Sequence, residues 1–192
     1  MYNKNIQLYW FKRGGEMQIR QATFQDAKAI AKVHVDSWRT TYQGIIPDSY
    51  LDSLSYEQRT ELWQRNIADE GNYIVVAEDE AQKIIGFGTA GKRPENKEVN
   101  AGDLTSIYLL EAFQGKGIGK LLLTELFRYF KEQSYKKVFV EVLEENKTRH
   151  FYEYYGAVLV KKVEIKISGE VLNELIYVWN DVEGVYLKCN GQ

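Results

Sequence analysis

The chain has few of the residues that build covalently or metal-stapled folds. Its 192 residues include one cysteine, Cys189, and two histidines, His34 and His150. A single cysteine cannot close an internal disulfide, which points to a reducing compartment. Ligating residues this few and this far apart in sequence make no metal site. No apolar run approaches the roughly 20 residues of a membrane-spanning helix, and no continuous apolar core with a cleavage site marks a signal peptide. A cytoplasmic protein without a membrane partner is expected. A basic surplus is also missing. Twenty-five Lys and Arg stand against 27 Asp and Glu, for a net charge of −2 and a pI near 5.8, which argues against a nucleic-acid binder. Internal repeats and low-complexity tracts are absent. What remains is 44% hydrophobic and 27% charged, an ordinary composition for one globular domain with a sizeable core.

Residues 1–16 mix Asn, Lys, Gln and aromatics with no period. They are read as an extension outside the fold, with residues 17–192 as a single domain and Met17 as the expected natural start. A strand begins at Met17. Thr23 and Asp26 then have the spacing of a capping box. The following helix runs from Phe24 to about Tyr42, with Ala27, Ile30, Ala31, His34, Val35 and Trp38 on one face. His34 on that apolar face reads as a core histidine, and His150 as exposed. Short helices are expected over Asp48–Leu54 and from Ser55 to about Asp69. Tyr73–Glu78 and Ile84–Ala90 read as a hairpin, and Arg93–Gly102 as a loop containing Pro94. Lys136–Val142 is a strand and Glu144–Tyr155 a helix. Ala157–Ile167 and Leu172–Val182 alternate as a terminal antiparallel hairpin. The order implies a mixed α/β sheet with helices on both faces, and a parallel relation between the strand at Leu104 and the strand at Val138, because a helix separates them.

The most informative stretch is 103–119, Asp-Leu-Thr-Ser-Ile-Tyr-Leu-Leu-Glu-Ala-Phe-Gln-Gly-Lys-Gly-Ile-Gly. An apolar strand leads through a turn and three alternate glycines into an amphipathic helix carrying Ile118, Leu121, Leu122, Leu126 and Phe130. A glycine-rich entry lets backbone N–H groups at a helix start converge on an anion, aided by the helix dipole. The loop is not a P-loop: Leu121 stands where Ser or Thr should hold magnesium, and Gln114 where the first glycine belongs. It is not a dinucleotide fingerprint either, since the glycines run G-x-G-x-G.

The pattern Gln114-x-x-Gly117-x-Gly119, followed by Asn146, Phe151-Tyr152 and Tyr155-Gly156 in that order, resembles the GNAT superfamily of acetyltransferases over roughly Met17 to Val182. Ala157 after the last glycine, where that family more often has Phe, is a mild departure. The resemblance implies a mostly antiparallel sheet whose parallel pair splays to admit acetyl-CoA as co-substrate, with no metal. It implies that Gln114, Gly115, Lys116, Gly117, Ile118, Gly119 and Lys120 meet the pyrophosphate. Ile107, Tyr108 and Leu109 would offer strand backbone to the pantetheine arm, and Asn146 a side-chain hydrogen bond. Tyr152 would protonate the leaving thiolate. The base that deprotonates the amine is left open between Asp103 and Glu141. Trp38 and Tyr42, on the helix that covers the acceptor side in this superfamily, are the candidate substrate contacts. The expected reaction is direct transfer to a primary amine, more readily of a small molecule than of a protein or peptide. A non-catalytic acyl-CoA-binding module is the rival, and a homodimer is compatible with either.

Overall fold

The computed structural model of the protein describes residues 8–12 and 15–191. Among them, eight strands form one sheet: β1 (Leu8–Lys12), β2 (Gly15–Gln21), β3 (Tyr73–Glu78), β4 (Ile84–Gly91), β5 (Ala101–Leu109), β6 (Lys137–Leu143), β7 (Val158–Ile167) and β8 (Glu170–Trp179). Their order is β1-β2-β3-β4-β5-β6-β8-β7. Every neighbouring pair is antiparallel except β5 and β6. The helices are α1 (Ala27–Thr41), α2 (Asp48–Asp52), α3 (Tyr56–Ala68), α4 (Ile118–Glu132), α5 (Thr148–Tyr154) and α6 (Val182–Asn190).

Alternation along the strands supplies both faces. Val75 and Ala77 join Leu122, Leu126, Phe127 and Phe130 of α4 in one core, together with Trp179 and α6. Ile74 and Val76 join Ile30 of α1 and Trp63 of α3 in the other. Neighbouring residues of one strand thus point to opposite layers. Thr23 and Asp26 form the expected capping box. A short 3-10 turn over Phe24–Asp26 precedes α1, which shifts its regular start to Ala27.

Several boundaries differ from the sequence expectation. Leu8–Lys12 pairs with β2, and β2 begins at Gly15 rather than Met17. The rest of the proposed extension, residues 1–7, 13 and 14, lies outside the described residues. The last strand ends at Trp179, not Val182. Asp181 accepts the Gly184 N–H at 2.9 Å and caps α6, which buries Val182, Val185 and Cys189 on one stripe. The helix expected from Glu144 begins only at Thr148, because Asn146 Oδ1 accepts the Thr148 N–H at 2.9 Å and turns the chain there. The alternation expected from Val158 and Val160 does not hold at this end of β7: Val158, Leu159 and Val160 are all about half exposed, on the edge strand beyond β8.

Gly86 lets β4 and β5 approach. A Cβ there would lie 2.3 Å from Leu109 Cδ2 and 2.9 Å from the Tyr108 carbonyl oxygen. Replacing Gly86 with Ala should cost about 1–3 kcal/mol through overpacking, read as a lower urea midpoint.

Candidate active site

The parallel pairing of β5 with β6 covers only Ala101↔Lys137 to Leu104↔Val140. β5 continues to Leu109 and β6 to Leu143 with no further pairing between them. On its other side β5 stays paired with β4, but with a register shift that leaves Thr105 extra between Leu104 and Ser106. A bulge of this kind bends and twists its strand, and it falls where β5 turns away from β6. The resulting cleft has a volume of about 750 Å³.

Most of the residues singled out in the sequence meet there. Ile107, Tyr108 and Leu109 form one wall; Glu141, Asn146 and Tyr152 the other; Tyr42 closes the α1 side; Gln114 and Gly115 stand at the mouth. Gln114 Nε2 donates to the Leu109 carbonyl at 3.2 Å, so its side chain ties the loop to the end of β5. Gly115 and Gly117 adopt left-handed φ values of +69° and +83°, with Gly117 at the N-cap of α4. A Cβ at either would meet nothing within 4 Å, so conformation, not space, demands glycine. At Gly119 a Cβ would rest against Phe151 at 3.6 Å, an ordinary contact. Ile118 is buried in the core, which leaves its backbone as the part that faces the loop. Lys116 lies over the Phe113 ring at 5.3 Å. Lys120 sits in the first turn of α4, its carbonyl accepting from Thr124 at 2.8 Å.

Three phenols converge at the cleft floor. The Tyr42 and Tyr108 hydroxyls are 3.2 Å apart, and Asn146 Nδ2 donates to Tyr42 Oη at 3.4 Å. Asn146 therefore does two things at once: it caps the turn before α5 and holds the Tyr42 hydroxyl. Burial, and then the proximity of Tyr42, hold the Tyr152 hydroxyl well above the ordinary phenol pKa. Tyr152 is thus protonated at neutral pH. Its ring packs edge-on against Phe151 and Trp179.

Two expectations need correction. Asp103 is not on the cleft wall. It is 4% exposed, and its carboxylate accepts the Arg93 N–H at 2.9 Å and both of its oxygens take Asn96 Nδ2, at 3.1 and 3.0 Å. It anchors the loop between β4 and β5. Trp38 lies behind Tyr42, ring centroids 4.8 Å apart, and also packs on His34 and Tyr50; it backs the cleft wall without lining it. Glu141 does line the cleft, ion-paired to Arg93. Sequence reasoning passed over Arg93. An arginine followed by Pro94 in a polar loop looks like surface, and only the return of that loop onto β5 brings it to Glu141.

His34 is the core residue expected. Its Nδ1 accepts from Trp63 Nε1 at 3.1 Å, and its ring stacks on Tyr108 at 5.8 Å. Burial, helped by Arg59, pushes its pKa down to about 3 from 6.5. The unfolded chain therefore binds a proton below about pH 6.5 that the native state refuses until about pH 3. Stability should be fully present above that window and fall through it, by on the order of 5 kcal/mol in all from this group. Urea midpoints against pH check this, and His34→Phe should flatten the slope between pH 6 and 5, above the carboxylate range.

Among the described residues no cluster of His, Cys, Asp or Glu is placed to hold a metal, and no helix is long and apolar enough to cross a membrane. A sheet with one parallel pair splayed beside a glycine-rich helix start, and a buried phenol in the gap, defines an acyltransferase that draws on a coenzyme A thioester. The chain belongs to the acetyltransferase (GNAT) family, whose model matches residues 33–157, and it is an acetyl-CoA-dependent acetyltransferase. It is 36% identical over 172 residues, 90% of this chain and 98% of the relative, to the uncharacterized N-acetyltransferase YuaI of Bacillus subtilis (strain 168). It is 24% identical over 153 residues, 77% of this chain and 91% of the relative, to a spermidine N(1)-acetyltransferase of Thermoplasma acidophilum. The fold matches that of the PaiA N-acetyltransferase of Thermoplasma acidophilum, solved with coenzyme A, with a TM-score of 0.67 at 22% identity, covering 82% of this chain and 97% of that one.

Proposed function

We propose that the protein acetylates a primary amine of a small molecule by direct attack on the thioester, with Glu141 as base and Tyr152 as acid. The observation that carries this reading is the end of β5–β6 pairing at Leu104 and Val140. It leaves strand backbone of β5 available to an extended ligand, which can add to it as a strand would. The gap leads at one end to the backbone N–H groups where α4 starts, suited to a diphosphate. At the other it reaches Tyr42 and Glu141. In the reaction the Glu141 carboxylate takes a proton from the acceptor ammonium, and the freed amine attacks the thioester carbon. An N–H of the β5 edge stabilises the oxyanion. As the tetrahedral intermediate collapses, the C–S bond breaks, Tyr152 gives its proton to the departing thiolate, and the extra proton on the nitrogen leaves to the phenolate, restoring Tyr152.

The acceptor class draws support from the polyamine named for the Thermoplasma relative. The test has two parts. Calorimetric titration with coenzyme A should show one site. A screen of amines, including polyamines, aminosugars, lysine and peptide N-termini, should then reveal thiol release with a small amine. Coenzyme A binding with release only for peptides would sink the small-molecule reading. The absence of coenzyme A binding would end the whole proposal.

A further inference from the structure

The loop between β4 and β5 is tied down more firmly than a surface connection needs. Asp103, in the middle of the sheet between Gly91 of β4 and Phe139 of β6, holds the Arg93 backbone and the Asn96 side chain. Asn96 Oδ1 in turn accepts the Glu98 N–H at 3.0 Å. The backbone of Arg93 is thereby fixed, and its side chain reaches across to Glu141, with Nη1 on Oε2. The register puts a second carboxylate on the same face. Glu141 opposes Ile176 and Leu143 opposes Glu174, so Glu174 lies diagonally next to Glu141. Arg93 also faces Glu174: burial raises the Glu174 pKa and the guanidinium opposes that rise. Tyr42 from the end of α1 approaches Glu174 as well, and Lys161 of β7, opposite Ile176, shares the face.

We infer that Arg93 is a positioning residue of acetyl transfer: locked to β5 through Asp103, it holds one oxygen of Glu141 and so turns the other toward the acceptor amine. The inference rests on the reading of Glu141 as the base. Arg93 and Glu141 keep 26% and 34% of their side-chain surface exposed. An ion pair this open contributes little to folding, so a purely stabilising role does not account for the three hydrogen bonds to Asp103 that fix the loop. A guanidinium, with its rigid fork of donors, can fix the angle of a carboxylate as well as its charge.

The experiment compares Arg93→Gln, Arg93→Lys, Glu141→Gln and the Arg93→Gln/Glu141→Gln double variant. Coenzyme A affinity by calorimetry serves as the control for folding of the cleft. Arg93→Gln should bind coenzyme A as the parent does and lose at least tenfold in kcat. The acidic limb of its kcat/KM profile should move up by on the order of one pH unit, because an opposite charge near the carboxylates is gone. Arg93→Lys should recover much of the rate, and the double variant should be no slower than Glu141→Gln alone. If Glu141→Gln is impaired while Arg93→Gln keeps parental kcat and pH profile, the pair is a surface contact and the inference fails alone. If Glu141→Gln is itself unaffected, the base assignment fails and takes the inference with it. Additive losses in the double variant would also overturn it, since Arg93 would then act elsewhere.

Discussion

Tyr152→Phe should lower kcat by about 100-fold or more, the scale of a lost general acid, while leaving coenzyme A affinity within about twofold. The substitution removes one oxygen and keeps the ring. The edge-on contacts of that ring with Phe151 at 5.9 Å and Trp179 at 5.6 Å survive, so the fold and the cleft wall are retained. What disappears is the proton for the thiolate. A rate drop of this size corresponds to about 2.7 kcal/mol of transition-state stabilisation. A second readout separates chemistry from packing. Because burial holds the Tyr152 hydroxyl above its ordinary range, the parent enzyme should keep its activity up to pH 10 and show no basic limb from this group below that. A leaving thiol of lower pKa needs less help, so an activated thioester should narrow the gap between parent and variant. Parental kcat in Tyr152→Phe would remove the phenol from the mechanism.

The glycine-rich loop of the candidate site was readable in the sequence because backbone geometry enforces it. Gly115 and Gly117 must be glycine for their positive φ values, and such positions leave a mark in a single sequence. Asn146 and Tyr152 are singled out by the resemblance to the acetyltransferase family, and both line the cleft. The acceptor half depends on residues far apart in sequence. Asp103 has the same residue type and strand-head position as a plausible base, and only its hydrogen bonds to Arg93 and Asn96 show it to be an anchor. Glu174 belongs to the face of Glu141 through the β6–β8 register, a long-range pairing that periodicity cannot supply. Trp38 and Tyr42 share a helix face, but α1 is layered, and the first of them is covered by the second. The α6 helix was missed for a different reason. Its signals, Asp181 at the cap and Val182, Val185 and Cys189 at helical spacing, start directly after an alternating strand whose expected range runs on to Val182.

Glu141→Gln should reduce kcat/KM about 100-fold or more near neutral pH, and the loss should shrink as the pH rises. An alkylamine has a pKa near that of lysine, about 10.4, so at pH 7 only about one molecule in 10³ is unprotonated and able to attack. A carboxylate in reach of the bound ammonium removes the proton inside the cleft, where the thioester already stands. Glutamine keeps the shape and the polarity of the side chain but cannot accept that proton. At pH 9.5 roughly a tenth of the amine is free in solution, and the variant should then approach the parent to within about tenfold. A structural fault would not behave in this way, because a misplaced wall costs the same factor at every pH. The partner arginine adds a second signature. With Glu141 neutral, Arg93 still faces Glu174, but the attraction of the Glu141 carboxylate for a cationic acceptor is lost with its charge, and the Arg93 cation is left less compensated beside it. KM for a dicationic amine should therefore rise more than KM for a monocation, and the difference should fade in high salt, as expected for partly exposed charges. A pH-independent deficit in Glu141→Gln would show that the residue shapes the acceptor wall without taking the proton.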